Sequence, residues 1–496
     1  MANPTTTLIG NPFARLDLPE GLTRSLIDLV HDLDVAAVPD EVRTWAKHSL
    51  IDTVGVLALG SVAEPAAMLR RVVLEPATDG ATVFGPEPVR ASPLNAAMVN
   101  ALAAHIRDFD DAGAGGHISA IIVPAVLALA EVHDSSGAEA LSALIAGYET
   151  AFRINRLLGD SHYYLGFHSS GTVGTFGAAA ACCRLLGLSR EQWAMAFGIA
   201  GSLAGGLLAN FGSMTKPLHS ANAARAGMLA ARLAQEGFTG SPAVLEHEVG
   251  FIRTHTLRSD AFASGGSGGV VPPGDSDAFA SGGSGGVVPP GDTATAMSPL
   301  GEPWALADMY YKFNAACSGT HSGGDGMRRL VAEHGVTADD VAAITIRVPK
   351  IQTEVANIQW PVTVEQAKFS IRFVAAAGLL GINTAEAFPA EDSAIADPRV
   401  QSVIGLIEVL PLDGVNHGGA AEIDLRLKTG EVLGISLNSM VPFEDLDTER
   451  AAIEDKFRRT AATLWSADVI DDTVRRLVHF EAEPSVRAFV AGLARP

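Results

Sequence analysis

Between residues 166 and 240 the chain is built largely from Gly, Ala, Ser and Leu, in helix-length runs such as GTVGTFGAAAACC and AARAGMLAARLA. Helices of small residues pack at short interaxial distances, so a long polar side chain left in such a run is enclosed by its neighbours. His168 stands at the mouth of one run, and Lys216 and His219 open another. Enclosed Lys and His titrate away from their ordinary values, through desolvation and through neighbouring charge. The stretch therefore predicts an acid/base site inside a tightly packed helical body.

With 496 residues the chain has room for two or three domains, and 48% apolar but only 6% aromatic residues favour close helix packing over an aromatic-rich sandwich. A formal net charge of −21 argues against a nucleic-acid partner, which would need basic surface. A small anionic substrate stays open, because a few local cations reverse the field inside a cleft. Three cysteines (Cys182, Cys183 and Cys317) make no disulfide framework and point to a reduced, cytoplasmic setting. The start MANPTTTLIGNPF has no secretory pattern. The apolar windows 118–130 and 194–208 are shorter than the roughly 20 residues of a membrane span, so no membrane partner is expected.

Apolar residues recur at helical spacing over 42–59, 93–106, 138–158, 191–208 and 221–235. Ser136 with Glu139 and Ser189 with Gln192 have capping-box spacing, and Ser241-Pro242 reads as a further helix start. The segment SDAFASGGSGGVVPPGD then occurs twice, at 259–275 and 276–292. Its composition favours a flexible loop over a packed unit or a phosphate cradle. Beyond it the texture changes. Residues 341–348 alternate as a strand, 422–427 and 431–437 flank a Lys-Thr-Gly turn as a hairpin, and 364–380 is helical. The tail returns to amphipathic helices over 443–464 and 471–493. The fold class is thus mainly α: a helical domain over 1–258, the duplicated loop at 259–292, an α+β domain over 293–440, and C-terminal helices over 441–496.

Four clusters carry chemistry. The first, HIRDFDDAGAGGH, holds His105, Asp108, Asp110, Asp111 and His117. It suits a divalent metal, an acid/base pair built on His117, or helix caps and loop anchors. The second is His168 with Ser169, Ser170 and Thr172 at a helix start, where backbone N–H groups favour a carboxylate. In the third, Met214 to His219, Lys216 precedes a proline in surroundings that suggest burial. The fourth, Lys312 to His321 with Asp325, offers a thiol and an imidazole but no geometry that would activate the thiol.

Taken together the clusters resemble the MmgE/PrpD family. The matching runs are Ile51-Asp52-Thr53-Val54-Gly55, the Asp108 to Asp111 run with Gly116-His117, and Gly166-Phe-His168 with Gly171-Thr172. Further runs are Ala209-Asn-Phe-Gly212 with Thr215-Lys216 and His219, Gly319-Thr320-His321, and Ala367-Lys368-Phe369-Ser370. The resemblance implies a large all-helical domain built from both chain ends, an inserted α+β lid domain, an active site between them, and a homodimer. It also implies chemistry on a small di- or tricarboxylate with neither cofactor nor metal. The reactions implied are 2-methylcitrate dehydration first, then cis-aconitate decarboxylation or epimerisation of an imino- or amino-dicarboxylate. The catalytic set it carries over is Asp108, His117, His168 and Lys216, with Lys216, His219, Ser169, Thr172, His321 and Lys368 holding substrate. Departures stand at Ala112, Ile118, Ala221-Asn222 and Asn314, where the family commonly has Thr, Pro, Gly-Arg and Tyr. These departures are expected where substrate is held. On this reading Lys216 binds a carboxylate, His117 and His168 act as base and acid, Asp108 sets the tautomer of His117, and closure of the α+β region excludes water.

Overall fold

The computed structural model describes residues 18–75, 80–256, 291–384, 395–415 and 418–494. All but the last two residues of the duplicated segment lie outside these. Helix follows helix through the first half: α1 (Asp40–Ser61), α2 (Pro93–His105), α3 (Ser119–His133), α4 (Gly137–Leu158), α5 (Ser161–Tyr164), α6 (Ser169–Leu185), α7 (Arg190–Leu203) and α8 (Thr215–Gln235). Both expected capping boxes close, at Ser136 with Glu139 and at Ser189 with Gln192. Helix α7 ends at Leu203, five residues before its periodicity does. The chain is extended at Ala204, and Gly206, at φ 155°, turns it so that Leu207 pairs with Phe167. Ser241-Pro242 opens a series of turns, not a helix.

The helical part is not all helix. Strands β1 (Ala81–Val83) and β2 (Val89–Ala91) form an antiparallel ribbon. Buried Glu131 of α3 accepts the Thr82 N–H at 2.7 Å and the Thr82 hydroxyl at 2.7 Å, and Asn100 of α2 donates to the Thr82 carbonyl and accepts the Phe84 N–H, so that side chains pair the ribbon's open edge.

Two apolar cores organise the rest. The larger draws on both ends of the chain: Leu50, Ile51 and Val54 of α1 share it with Ile453 and Phe457 of a late helix, Leu446–Ala461. The smaller lies against a four-stranded sheet ordered β4-β3-β5-β6, made of β3 (Val341–Val348), β4 (Ile407–Pro411), β5 (Ala420–Leu427) and β6 (Val432–Asn438). Strand β3 runs parallel to β4 and antiparallel to β5, and β5 and β6 form the expected hairpin. Helices α9 (Ser318–His334) and α10 (Ile371–Leu380) cover one face. The helix expected over 364–380 is broken: Val364–Ala367 stops, Lys368 and Phe369 turn, and the Ser370 hydroxyl caps α10. Among the described residues no single helix is long and apolar enough to cross a membrane.

Glycine sets the helix spacing that places the site. A Cβ on Gly147 of α4 would lie 2.9 Å from the Gly177 carbonyl of α6, and one on Gly177 would lie 3.0 Å from the Gly147 carbonyl. At Gly227 of α8 a Cβ would sit 2.5 Å from Ala178 Cβ and 2.6 Å from Thr175 O, both on α6. Backbone atoms cannot swing aside as a flexible side chain can. Gly227→Ala is therefore expected to lower stability by about 1–3 kcal/mol, read as an earlier urea midpoint. An unchanged midpoint would mean that α6 and α8 do not meet along this seam.

Candidate active site

Helix α2 ends at His105, and Asp108 N–H closes a turn back to the His105 carbonyl at 2.9 Å. Asp108 sits in the left-handed region, φ 50°, a conformation Asp tolerates better than most residues. Its carboxylate is buried and takes an ammonium group on each oxygen. Lys216 Nζ, from the first turn of α8, donates to Oδ2 at 2.8 Å. Lys312 Nζ donates to Oδ1 at 2.5 Å and to the Asp108 carbonyl at 3.0 Å. Burial alone would push the Asp108 carboxyl up, but Lys216 and Lys312 hold it well below the ordinary carboxylate range. Lys312 is raised in turn: burial alone would lower it, but Asp108 and Asp110 together outweigh that desolvation.

The Gly-rich run explains how His117 comes back to this point. Gly113, Ala114, Gly115 and Gly116 all have positive φ, at 140°, 49°, 105° and 148°. The run reverses the chain, and the His117 N–H reaches Ser170 Oγ at 3.0 Å. His117 Nδ1 lies 3.0 Å from Asp110 Oδ2 and 3.3 Å from the Asp111 carbonyl. With two acceptors at Nδ1, the proton of the neutral ring belongs there, and Nε2 keeps its lone pair. The tautomer is thus set by Asp110, not by Asp108 as the sequence suggested; Asp108 Oδ1 is 3.9 Å from Nε2 and is engaged by lysine. The other oxygen of Asp110 faces His105 Nδ1 at 2.9 Å.

His168 precedes α6, tied by its N–H to the Gly206 carbonyl at 3.0 Å. Its Nδ1 is 3.0 Å from His219 Nδ1, so one ring donates and the other accepts. The His117 and His168 ring centres are 6.3 Å apart. Burial, with Lys312 next, pushes His117 down to about 3. Burial, with Lys216 next, puts His168 well below its ordinary value. Both rings are therefore neutral near neutral pH while the cavity holds no anion.

His117, His168, Ser169, Ser170, Lys216 and Cys317 share the wall of a cavity of about 620 Å³. Other parts of the wall come from the sheet-bearing half, among them Ile351, Gln352 and Met440. His105, Asp108, Asp110 and His117 also offer ligand atoms within 4.8 Å of one another. This donor set does not fit a divalent ion, because both oxygens of Asp108 already carry ammonium groups and both of Asp110 face imidazole nitrogens.

The sequence matches the MmgE/PrpD N-terminal domain over residues 24–261 and the MmgE/PrpD C-terminal domain over 315–477. The chain belongs to the MmgE/PrpD family. It is 29% identical to the cis-aconitate decarboxylase of Homo sapiens over 480 residues, covering 93% of this chain and 92% of that protein. Against the cis-aconitate decarboxylase of Mus musculus it is 27% identical over 475 residues, 92% and 90% of the two chains. A cis-aconitate decarboxylase of Aspergillus terreus matches at 28% over 246 residues, 48% of this chain and 50% of that one.

Of the residues that the MmgE/PrpD resemblance marks, the structure gathers Asp108, His117, His168 and Lys216 at one point, with Ser169 on the cavity wall and His219 directly behind His168. It does not place the other three on that wall. Thr172 lies one helical turn further into the bundle, its hydroxyl 2.7 Å from His162 Nε2. His321 Nε2 is 3.0 Å from the Ala316 carbonyl. Lys368 donates to the Ile106 carbonyl at 3.0 Å and faces a separate chamber of about 10 Å³ beside Asp108. Of the departures from the family pattern, Ala112 alone is on the wall. Ile118 and Ala221 are buried, Asn222 is exposed, and Asn314 accepts from Arg328 at 2.7 Å and Thr384 at 2.8 Å. Tyr163 and Tyr310 on the cavity wall were not marked in the sequence, and Lys312 stood in the fourth cluster with no role given. Nothing in their spacing distinguishes them, since each reaches the site only through the tertiary fold.

Asp108→Asn would leave two buried ammonium groups on a neutral amide. It is expected to cost about 3–5 kcal/mol, and adding Lys312→Met should recover part of that loss. The folded pKa of Asp108 is depressed, so its contribution is present above the unfolded carboxylate pKa, about 3.9, and fades only as pH falls through the folded value. Urea midpoints of the wild type and Asp108→Asn should hence differ by a constant amount above about pH 5 and converge in acid. Equal midpoints at neutral pH would contradict the buried charge trio.

Proposed function

We propose that the protein is a cofactor-independent carboxylate lyase that decarboxylates a cis-aconitate-like tricarboxylate. The observation that supports this most is a single cavity wall carrying two imidazoles and the Lys216 ammonium, in a chain alignable over 93% of its length with a cis-aconitate decarboxylase. In such a reaction the bond between the substrate's CH₂ carbon and its carboxylate breaks and CO₂ leaves. The electron pair forms a new C=C, and the old double bond's pair moves onto the carbon beside a remaining carboxylate. That carbon then takes one proton. A cation next to the remaining carboxylate stabilises the developing charge, and Lys216 is the cation on the reacting wall.

The proton comes from an imidazole. Both rings are neutral before substrate arrives, and a bound polyanion favours the imidazolium, so the ligand draws a proton onto the ring that later delivers it. His117 is assigned this role because its Nε2 is the nitrogen not held by Asp110. Asp110 keeps the ring oriented through transfer, and Asp108 keeps Lys216 in place.

A hydro-lyase acting on a 2-methylcitrate-like acid is the second reading. One feature favours it: elimination of water needs a base and an acid, and His168 is a second ring on the wall beside His117. The two readings separate in one assay. Purified protein is incubated with cis-aconitate or 2-methylcitrate in D₂O, following CO₂ release and product by NMR. Decarboxylation predicts CO₂ equal to substrate consumed and one deuteron per product. His117→Asn is expected to reduce turnover by about 10²–10⁴-fold. Alkene formation without CO₂ would select dehydration, and turnover of His117→Asn within about twofold of wild type would remove the proton-transfer assignment.

A further inference from the structure

The cavity extends well beyond its reacting end, and its outer wall carries a second cation. Arg156 lies near the C-terminal end of α4, exposed, on the wall of the same cavity as Lys216. Its guanidinium carbon stands 4.9 Å from the ring centre of Phe152, one turn earlier, which holds the guanidinium over an aromatic face. Among the described residues its guanidinium makes no hydrogen bond or ion pair. Its backbone is pinned, with the Asp292 N–H donating to the Arg156 carbonyl at 2.7 Å.

Asp160, Asp292 and Asp308 share this wall, and the last two feel the Arg156 charge, yet neither of those two hydrogen-bonds the guanidinium. Asp292 caps the short helix Thr293–Ala296, accepting the Thr295 N–H at 3.0 Å. Asp308 accepts from the backbone of Ala114. The guanidinium thus keeps its paired N–H donors for something that enters the cavity. Lys216 is its opposite: buried and tied to Asp108.

We infer that Arg156 is the outer carboxylate-binding residue of this cavity, holding a substrate carboxylate that does not react while Lys216 holds the one beside the reacting carbon. The inference rests on the reading of the ligand as a polycarboxylate. A guanidinium meets a carboxylate through two parallel N–H bonds, a geometry an ammonium cannot reproduce. Two cations from different helices on one wall make a two-point attachment, which selects polycarboxylates over monocarboxylates of similar bulk. The carboxylate due to leave as CO₂ gains nothing from such an anchor, since a cation there stabilises the ground state.

The test uses the full chain with Arg156→Gln and Arg156→Lys, measuring turnover by CO₂ release, and cis-aconitate binding by calorimetry with each change placed in the slow His117→Asn background. Acrylate inhibition serves as the monocarboxylate arm. The expected result for Arg156→Gln is a rise of about tenfold in both Kd and KM, with kcat within about twofold and acrylate inhibition unchanged. Arg156→Lys should lose less, keeping the charge but not the fork. An unchanged Kd for cis-aconitate in Arg156→Gln would overturn the inference. So would equal weakening of cis-aconitate and acrylate, which would make Arg156 a general attractor of anions and not a subsite. If the wild type binds cis-aconitate without converting it, the proposed reaction fails while the Kd comparison still judges Arg156. If it binds no tricarboxylate, both fall.

Discussion

One buried carboxylate with an ammonium group on each oxygen is the interaction on which the site depends. Asp108, Lys216 and Lys312 come from three separate stretches of chain, and their ion pairs join the turn after α2, the first turn of α8 and the segment leading into α9. Neither lysine could be buried without the carboxylate, nor the carboxylate without at least one lysine. The trio carries one net positive charge. Of the trio, the Lys216 ammonium is the charge on the cavity wall, so an anion beside His117 and His168 meets it directly. Burial, reinforced by the trio's lysines, keeps His117 and His168 neutral until a negative ligand arrives. Burial and charge placement together set when a proton becomes available.

The glycine-spaced helices give that trio its rigidity. Close approach of α4, α6 and α8 at Gly147, Gly177 and Gly227 leaves little freedom for the helix starts that bear His168 and Lys216. The left-handed run at Gly113 to Gly116 does for His117 what the helices do for the others, returning it against Ser170. A Cβ added at any of these glycines would press on backbone or on a neighbouring side chain.

Much of this was legible in the residues. Helical periodicity and the capping boxes located the main helices, and alternation located β3 and the β5–β6 hairpin. The set Asp108, His117, His168 and Lys216 rested on motif resemblance, and the fold brings these side chains together. What could not be read was partnership. Asp110 and Asp108 are two residues apart on one loop, and only the turn at Asp108 decides which faces imidazole and which faces lysine. Lys312 is 204 positions away from Asp108 and carries no local mark of its role. The β1–β2 ribbon escaped because its edge is completed by a distant carboxylate, Glu131, which no local pattern reveals. Thr172 and His321 fit the motif yet lie on helix faces turned from the wall, and Lys368, in the turn before α10, reaches the Ile106 carbonyl instead.

The central claim is that burial, reinforced by the lysines of the charge trio, holds both cavity imidazoles neutral in the free protein. Histidine ¹⁵N NMR on the ligand-free chain near pH 7 measures this directly. The account predicts neutral rings for His117 and His168, with the His117 proton on Nδ1, and protonation of His117 once a tricarboxylate saturates the cavity. Doubly protonated rings at neutral pH before any ligand is added would contradict it.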